Sequence, residues 1–115
     1  MDKSIRQLQR EVYAVSASKC FHDGETPQTV DVPLKLCLIH SEVSEALEEH
    51  RKCDAPHNHI YYCDGKPEGL ASELADVVIR VLDLSESLGI DIAAVIDAKV
   101  AYNMTRTRMH GGKRF

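Results

Sequence analysis

The sequence predicts an all-α fold, a four-helix bundle that forms one domain over residues 1–115. Three observations predict it. Apolar residues recur at helical spacing in four stretches, no stretch has a convincing strand pattern, and the chain is long enough for one modest core. With 43% hydrophobic and 28% charged residues, the composition is ordinary for a soluble globular chain.

The first helix is predicted over residues 2–20, where apolar residues follow the i, i+3, i+4 rule. The second is predicted over about 33–52, with Asp31 suited to be its N-cap and Pro33 suited to its first turn. The connection 21–33 has turn chemistry and is expected to be a loop. These two helices would supply half of the bundle.

The loop after the first helix contains Phe21 and His22, which are candidates for stacking on a nucleotide base. His22 and Asp23 also spell the doublet of HD phosphohydrolases. Those enzymes need further His and Asp ligands on helices, whereas this doublet precedes a glycine in a loop. The sequence therefore disfavours that class.

The third helix is predicted over about 69–88 and is ended by Gly89, and the fourth runs from Asp91, its N-cap, to about 106. The connection 53–69 is the longest irregular segment. It contains Cys53, His57, His59 and Cys63, whose residue types can ligate zinc but whose spacing matches no common zinc pattern. A plain loop, used as a lid or binding loop, is the favoured interpretation.

Charge and hydropathy exclude several classes of partner. The net charge of -4 disfavours non-specific binding to nucleic acid, which needs a basic surface. No apolar run approaches the length of a membrane span, and no signal peptide is recognisable. Four cysteines could form two disulfides, but nothing marks secretion. We therefore expect reduced thiols in a cytoplasmic protein that binds neither nucleic acid nor membrane.

Two of the predicted helices each carry a pair of carboxylates three residues apart: Glu42 and Glu45 on the second, and Glu73 and Asp76 on the third. Residues at i and i+3 point to nearly the same side of a helix. Each pair flanks an apolar stripe on the same side, and a shift of 31 positions superposes one helix on the other. If the two stripes pack together, we expect the four carboxylates to converge.

Converging carboxylates repel one another unless they bind protons or cations. Oxygen ligands favour hard divalent cations, Mg²⁺ first and Mn²⁺ next. The competing interpretation is that each pair lies on a solvated helix face. Arg80, one turn beyond Asp76, offers a further structural role, because the two side chains are within reach of an ion pair.

Basic and amide side chains mark the end of the chain. Lys99, Asn103 and Arg106 lie at i, i+4 and i+7, so they share one face of the fourth helix. Such a row is a solvated face or, opposite a metal site, a binding surface for phosphate groups. Residues 107–115, which include Lys113, are expected to form a flexible basic tail or a flap over an anionic ligand.

These residues resemble a known family. Glu42-x-x-Glu45 and, after 27 intervening residues, Glu73-x-x-Asp76 look like the ExxE…ExxD signature of the all-α nucleoside triphosphate pyrophosphohydrolases, with the MazG-like branch the most similar. The resemblance covers about residues 33–113 and extends to the flanking segments, among them Gly65-Lys66-Pro67-Glu68-Gly69 and His110-Gly111-Gly112-Lys113.

The resemblance implies an oligomeric MazG-like bundle, a homodimer or homotetramer with sites near subunit interfaces. It implies Mg²⁺-dependent cleavage of an NTP or dNTP between the α- and β-phosphates, which yields NMP and pyrophosphate. The four signature carboxylates would be the catalytic metal ligands, and the substrate phosphates would be bound by Lys99, Asn103, Arg106 and Lys113. Many relatives carry one more acid directly before the first signature glutamate, where this chain has Ser41.

Two other functions are alternatives to this one. A ferritin-like di-iron or di-manganese bundle would need Glu-x-x-His motifs, and no glutamate of the chain is followed by histidine at that spacing. A non-catalytic helical nucleotide-binding or interaction module stays open as the alternative, because apolar stripes on four helices favour self-association whatever the function.

Overall fold

Four helices make up most of the chain in the computed structural model, which describes residues 2–52 and 55–107. The predicted helices are confirmed, and the largest difference in their bounds is the start of the first at Ile5 rather than at residue 2. In chain order the elements are α1 (Ile5–Ser18), α2 (Val32–Lys52), β1 (Tyr61–Cys63), β2 (Lys66–Glu68), α3 (Leu70–Ser87) and α4 (Ile92–Met104).

Side-chain caps begin three of the helices. Ser4 and Gln7 form a reciprocal capping box at α1, in which each side chain accepts a hydrogen bond from the other residue's backbone N–H. Asp31 and Asp91 each accept a hydrogen bond from the backbone N–H three residues on, at 3.1 and 3.3 Å. These caps satisfy N–H groups that have no partner within the helix, so they fix where α1, α2 and α4 start.

Helix α3 is the centre of the fold, because it packs against both α2 and α1, while α4 packs against α1. Among the described residues, the apolar side chains that are almost entirely covered are Ala46 of α2 and Leu82 of α3, at 5% and 4% exposure. The other nearly covered side chains are polar: Gln9, His22, Glu42, Glu49, Glu73, Ser85 and Ser87. The contact between α2 and α3 therefore encloses carboxylates beside a very small apolar core.

The condition that we set for convergence, packing of the apolar stripes of α2 and α3 on each other, is met only in part. Val43 and Leu47 of α2 are about half exposed, and so are Leu74 and Val78 of α3. The buried residues of α2 are instead Glu42, Ala46 and Glu49, and the two glutamates lie close to Glu73 of α3. A large apolar surface is thus left uncovered by the rest of the described chain.

A two-stranded antiparallel sheet corrects the expectation that the chain contains no strand. Strands β1 and β2 pair across a two-residue turn, Asp64-Gly65, whose φ angles are 52° and 81°. Positive φ at both positions is what a type I′ hairpin turn requires, and Asp-Gly is a preferred pair for it. Cys63 and Lys66 flank the turn, and Tyr62 and Pro67 form the next pair. In an antiparallel ladder this second pair exchanges no hydrogen bonds, so the N–H that proline lacks is not needed there.

The hairpin is fastened to the start of α3 by a close backbone approach at Gly69. This residue has a φ of 112°, and a Cβ placed on it would lie 2.8 Å from the carbonyl oxygen of His59. Any side chain there would be strained and would also clash with that backbone. The glycine therefore holds Glu68, the last residue of β2, directly against the first turn of α3.

Helix α4 is the most exposed of the four helices, with no buried residue. Beyond Ala93 its residues are exposed, among them Val95, Ile96 and Val100 at 46%, 38% and 51%. The radius of gyration, 16.7 Å, exceeds the roughly 13 Å of a compact domain of about 100 residues. Within 2–52 and 55–107, no helix combines the length and the apolar character that crossing a membrane requires.

Candidate metal centre and adjoining cleft

Three of the four signature carboxylates converge where α2 packs on α3. Glu42, Glu73 and Asp76 each offer a carboxylate oxygen, and these oxygens lie within 4.8 Å of one another. Glu42 and Glu73 are nearly covered, at 8% and 3% exposure, and Asp76 is half-buried. The i, i+3 spacing on α3 turns two of these side chains toward α2, so the convergence expected from the sequence is present for this triad.

Glu45, the fourth signature carboxylate, is exposed and lies at the rim of the triad. It interacts with both Glu73 and Glu42, and its proximity contributes to the raised pKa of Glu73. It is not part of the tight grouping of oxygens. The structure therefore brings all four residues to one place, with three of them forming the enclosed part.

The pKa values of these carboxyl groups shift in different directions. Burial, together with the charges of Glu45 and Asp76, raises the pKa of Glu73 to about 7. Burial and then the charge of Glu42 raise the pKa of Asp76. Burial alone would raise the pKa of Glu42 as well, but the hydrogen bond and charge of Arg80 outweigh it and hold that pKa below its usual range.

Arg80 bridges the two helices. Its Nε donates a hydrogen bond to Oε1 of Glu42 at 2.7 Å, although helical spacing suggested a pair with Asp76, one turn earlier on α3. Packing of α3 on α2 brings the guanidinium closer to Glu42 than sequence spacing can indicate. Arg80 therefore compensates one of the clustered carboxylates and leaves the others in need of a cation or a proton.

The triad suits a bound cation. Oε2 of Glu73 is fully covered and has no hydrogen-bond partner, which is costly for a carboxylate. The grouping supplies carboxylate oxygens and contains no nitrogen or sulfur. Such a donor set matches Mg²⁺ or Mn²⁺. Mutual repulsion, burial and an unpartnered oxygen all point to the same chemistry.

A second grouping of carboxylates adjoins the first and was missed by the sequence analysis. Glu49, Glu68 and Glu73 also offer oxygens within 4.8 Å of one another, so Glu73 belongs to both groupings. Glu49 follows Glu42 by seven residues and Glu45 by four, which places all three on one side of α2. The sequence alone could have indicated that Glu49 shares this side of α2, but the position of Glu68 depends on the hairpin.

A cleft of about 460 Å³ opens beside the triad, within the range of small-molecule sites. Glu42 and Asp76 form part of its wall. Cationic side chains line another part: Lys19, Lys35, Lys66 and Arg80. Apolar side chains line a further part, and Ser16 and Asp83 complete the lining; the apolar residues are Val12, Val15, Phe21 and Ile79. Among these cationic and apolar residues, the sequence analysis named Phe21 as a candidate for stacking on a base and Arg80 as an ion-pair partner of Asp76, and it gave the others no role in the site.

The predicted phosphate-binding residues lie elsewhere in the single chain. Lys99, Asn103 and Arg106 belong to α4 or follow it directly, and none of them lines the cleft. The cationic groups of Lys99 and Arg106 lie 5.9 and 5.7 Å from the ring centre of Tyr102. Their role toward phosphate stays a prediction. Lys113 and most of the predicted basic tail lie outside the described residues.

His22 is a structural residue that holds the α1–α2 loop in place. Its ring is nearly covered, stacks on Tyr13 at 4.2 Å, and lies between Oε1 of Glu25 at 2.6 Å and Oδ1 of Asp83 at 2.9 Å. It is therefore unavailable for stacking on a base, whereas Phe21 is 70% exposed and lines the cleft. The Asp of the His-Asp doublet is exposed, consistent with the sequence argument against an HD site.

The His22 contacts predict how stability depends on pH. Burial alone would lower the pKa of His22, but hydrogen bonds to Asp83 and Glu25 outweigh it and raise the pKa above 6.5. The resulting stability is fully present below pH 6.5 and is lost as pH rises through the raised folded pKa. We expect His22→Gln to lose about 1.5–3 kcal/mol of unfolding free energy at pH 6 and less at higher pH.

Urea unfolding at a series of pH values measures this effect. His40→Gln, at an exposed position on α2, is the matched control and should unfold like the unchanged chain. An equal loss of stability in His22→Gln at pH 6 and pH 9 would show that the protonated ring does not hold the loop.

The cysteine- and histidine-containing segment has no metal grouping among the described residues. The two carboxylate groupings include neither His57, His59 nor Cys63. Cys20, Cys37 and Cys63 are free and exposed thiols, and Cys53 lies outside the described residues. The connection 53–69 was interpreted as a plain loop, whereas its described part is a loop followed by the β1–β2 hairpin.

Taken together, the site offers clustered oxygens for a hard cation, four cationic side chains beside them, and an apolar wall with an aromatic ring. This combination can bind a polyanion that carries an apolar or planar group. Comparison of the chain with protein-family models, with curated proteins and with solved structures gave no match.

Proposed function

We propose that this protein is a Mg²⁺-dependent nucleoside triphosphate pyrophosphohydrolase, which cleaves an NTP or dNTP between the α- and β-phosphates to give NMP and pyrophosphate. One observation carries the proposal: the enclosed triad of Glu42, Glu73 and Asp76 lies beside a cleft lined by cationic and apolar side chains. The resemblance to the ExxE…ExxD signature also supports the proposal, because that signature contains the three carboxylates of the triad together with Glu45.

The residues that would hold Mg²⁺, or Mn²⁺ in its place, are Glu42, Glu73 and Asp76, with Glu45 at the rim. The bound cation would neutralise phosphate charge and lower the pKa of a bound water. The protein's own contribution is to hold these oxygens in place before substrate arrives. Arg80 does so for Glu42 through its 2.7 Å hydrogen bond, which links the two helices.

Different parts of the cleft bind the phosphates and the base of the nucleotide. Lys19, Lys35 and Lys66 bind phosphate oxygens, since ammonium groups are mobile point charges suited to a polyphosphate. Phe21 and the apolar side chains beside it contact the base. Phosphoryl transfer depends chiefly on such positioning and on charge neutralisation rather than on covalent chemistry from the protein.

The uncovered apolar surface supports a proposal for the assembly. We propose a cytoplasmic homodimer or homotetramer, in which a second copy covers α4 and the exposed stripe residues of α2 and α3. Helix α4 is apolar on most sides, and such a helix is normally buried. In an assembly, Lys99, Asn103 and Arg106 would face a neighbouring subunit, where phosphate binding becomes possible for them.

Pyrophosphate release measured with Mg²⁺ across canonical, deoxy and damaged nucleotides tests the reaction. We expect NMP and pyrophosphate, with no NDP intermediate. A β,γ-methylene triphosphate analogue should still yield NMP, whereas the α,β-methylene analogue should resist cleavage. Nucleotide binding without pyrophosphate release under any divalent cation would instead establish the alternative, a non-catalytic nucleotide-binding or interaction module.

A further inference from the structure

We infer a second divalent-cation position, formed by Glu49, Glu68 and Glu73, on the hairpin side of the triad. The three residues come from α2, β2 and α3, and each offers a carboxylate oxygen within 4.8 Å of the other two. Glu49 and Glu73 are nearly covered, and Glu68 is partly covered. Glu73 belongs to both groupings, so its carboxylate is shared between the two positions.

The second observation is the unpartnered oxygen of Glu73. This residue is only 3% exposed, and its Oε2 is covered without a hydrogen-bond partner. A covered carboxylate oxygen that accepts no hydrogen bond loses its hydration without compensation unless a cation or a proton binds it. Because Glu73 lies between two sets of carboxylates, a cation on each side would use both of its oxygens.

Tyr61 supplies the supporting contact that a metal ligand needs. Its hydroxyl lies 3.0 Å from both carboxylate oxygens of Glu49 and donates to them. Hydrogen bonds of this kind orient a ligand while leaving lone pairs free for a cation. Tyr61 also lies opposite Glu68 in the hairpin. The same tyrosine therefore lies beside two of the proposed ligands, Glu49 and Glu68.

The present charge compensation is weak enough for a cation to displace it. Lys52 Nζ lies 3.4 Å from Glu49, and Lys66 Nζ lies 3.5 Å from Glu68. Both lysine side chains are exposed, at 62% and 69%, so solvent screens their charge and holding each ammonium group in place costs side-chain entropy. Neither ion pair involves Glu73. Lys66 also lines the cleft, so a cation that replaced it at Glu68 would free it for an anionic ligand.

The donor set defines the class of ion. Three carboxylates without histidine or cysteine favour a hard cation: Mg²⁺, Mn²⁺ or Ca²⁺. Oxygens up to 4.8 Å apart can be spanned by a cation with bonds of about 2.3–2.6 Å, the range of Ca²⁺. The position would tie the hairpin to α2 and α3, and its existence does not depend on the proposed hydrolysis.

Terbium luminescence tests this position directly, because Tb³⁺ imitates Ca²⁺ and emits when a nearby tyrosine is excited. The chain contains no tryptophan, so tyrosine is the sensitiser. We expect strong emission from the full chain and its loss in Tyr61→Phe, while Tyr62→Phe, which alters the exposed neighbour on the same strand, retains it. Glu68→Gln should remove the emission, whereas Asp76→Asn, on the other position, should keep it.

Mn²⁺ titration followed by electron paramagnetic resonance gives the number of ions bound. We expect two per chain, one per chain in Glu68→Gln, and two in Tyr61→Phe with affinity at one position about 10- to 100-fold weaker. Circular dichroism verifies that each variant is folded. One ion in the unchanged chain, or two in Glu68→Gln at unchanged affinity, would overturn the inference. Two ions without pyrophosphate release would sustain it and refute only the proposed function.

Discussion

Asp76→Asn is expected to lower kcat/KM for pyrophosphate release by about 10²–10⁴-fold, since metal-assisted charge stabilisation supplies several kcal/mol and each 1.36 kcal/mol is a factor of ten. Asp76 is half-buried in the triad and lines the cleft. Asparagine keeps its size and removes its charge, so the ligand set loses a negative oxygen without a change of shape.

The same substitution should leave the folded chain at least as stable as before. Burial and the charge of Glu42 raise the pKa of Asp76, which means that the ionised form is disfavoured in the fold. A neutral side chain removes that repulsion. Thermal melting without added cation should therefore give an unchanged or higher Tm, and added Mg²⁺ should raise the Tm of the unchanged chain more than that of the variant.

The control for this pair of measurements is Glu48→Gln on the outer side of α2, where Glu48 makes an exposed ion pair with Arg51 at 2.9 Å. It removes the same charge outside both groupings and should keep full turnover. Glu45→Gln, at the rim, should also lose activity. Undiminished turnover in Asp76→Asn or in Glu45→Gln would eliminate the assignment of these carboxylates.

We expect the protein in solution to have the mass of at least two chains. The substitution Val100→Asp should reduce this mass to that of one chain, which is the second large effect expected. Val95, Ile96 and Val100 are each more than a third exposed on α4. Because each of these side chains is already about half covered, covering the rest contributes about 0.7–1.5 kcal/mol each. An aspartate among them would bury a charge without a partner, which opposes association by more than the lost apolar contact.

Light scattering coupled to size-exclusion chromatography measures the mass. Thr107→Asp is the matched control, because it adds the same charge at an exposed position just after α4. If Lys99, Asn103 and Arg106 act on a neighbouring subunit's substrate, Val100→Asp should also lose activity. A single-chain mass for the unchanged protein at all concentrations would contradict the proposed assembly.

Several parts of the site were predictable because they depend on local spacing. The i, i+3 pairs on α2 and α3 follow from helical geometry, and so does the side of the helix on which Glu49 lies. The hairpin also had a local signal in Asp64-Gly65 next to two tyrosines, which the prolines and glycines of that segment obscured. In each case the relevant residues are within a few positions of one another.

Other parts depend on how elements meet. Spacing along α3 favours an Arg80–Asp76 pair, yet the packing of α3 on α2 directs Arg80 to Glu42. Lys19 and Lys35 come from the end of α1 and the start of α2, and only the fold places them around one cleft. The sequence indicated apolar stripes on α2 and α3, but the structure leaves Val43, Leu47, Leu74 and Val78 of these stripes about half exposed.

The sequence alone determined four helices, the N-caps Asp31 and Asp91, and the pairs of acids that face one side of α2 and α3, because each follows from contacts within a few residues of chain. Only the tertiary structure decided that Glu73 is shared between two groups of carboxylates, with Glu68 brought in by a hairpin and Tyr61 supporting Glu49. These positions depend on the packing of distant segments, and no local spacing encodes it.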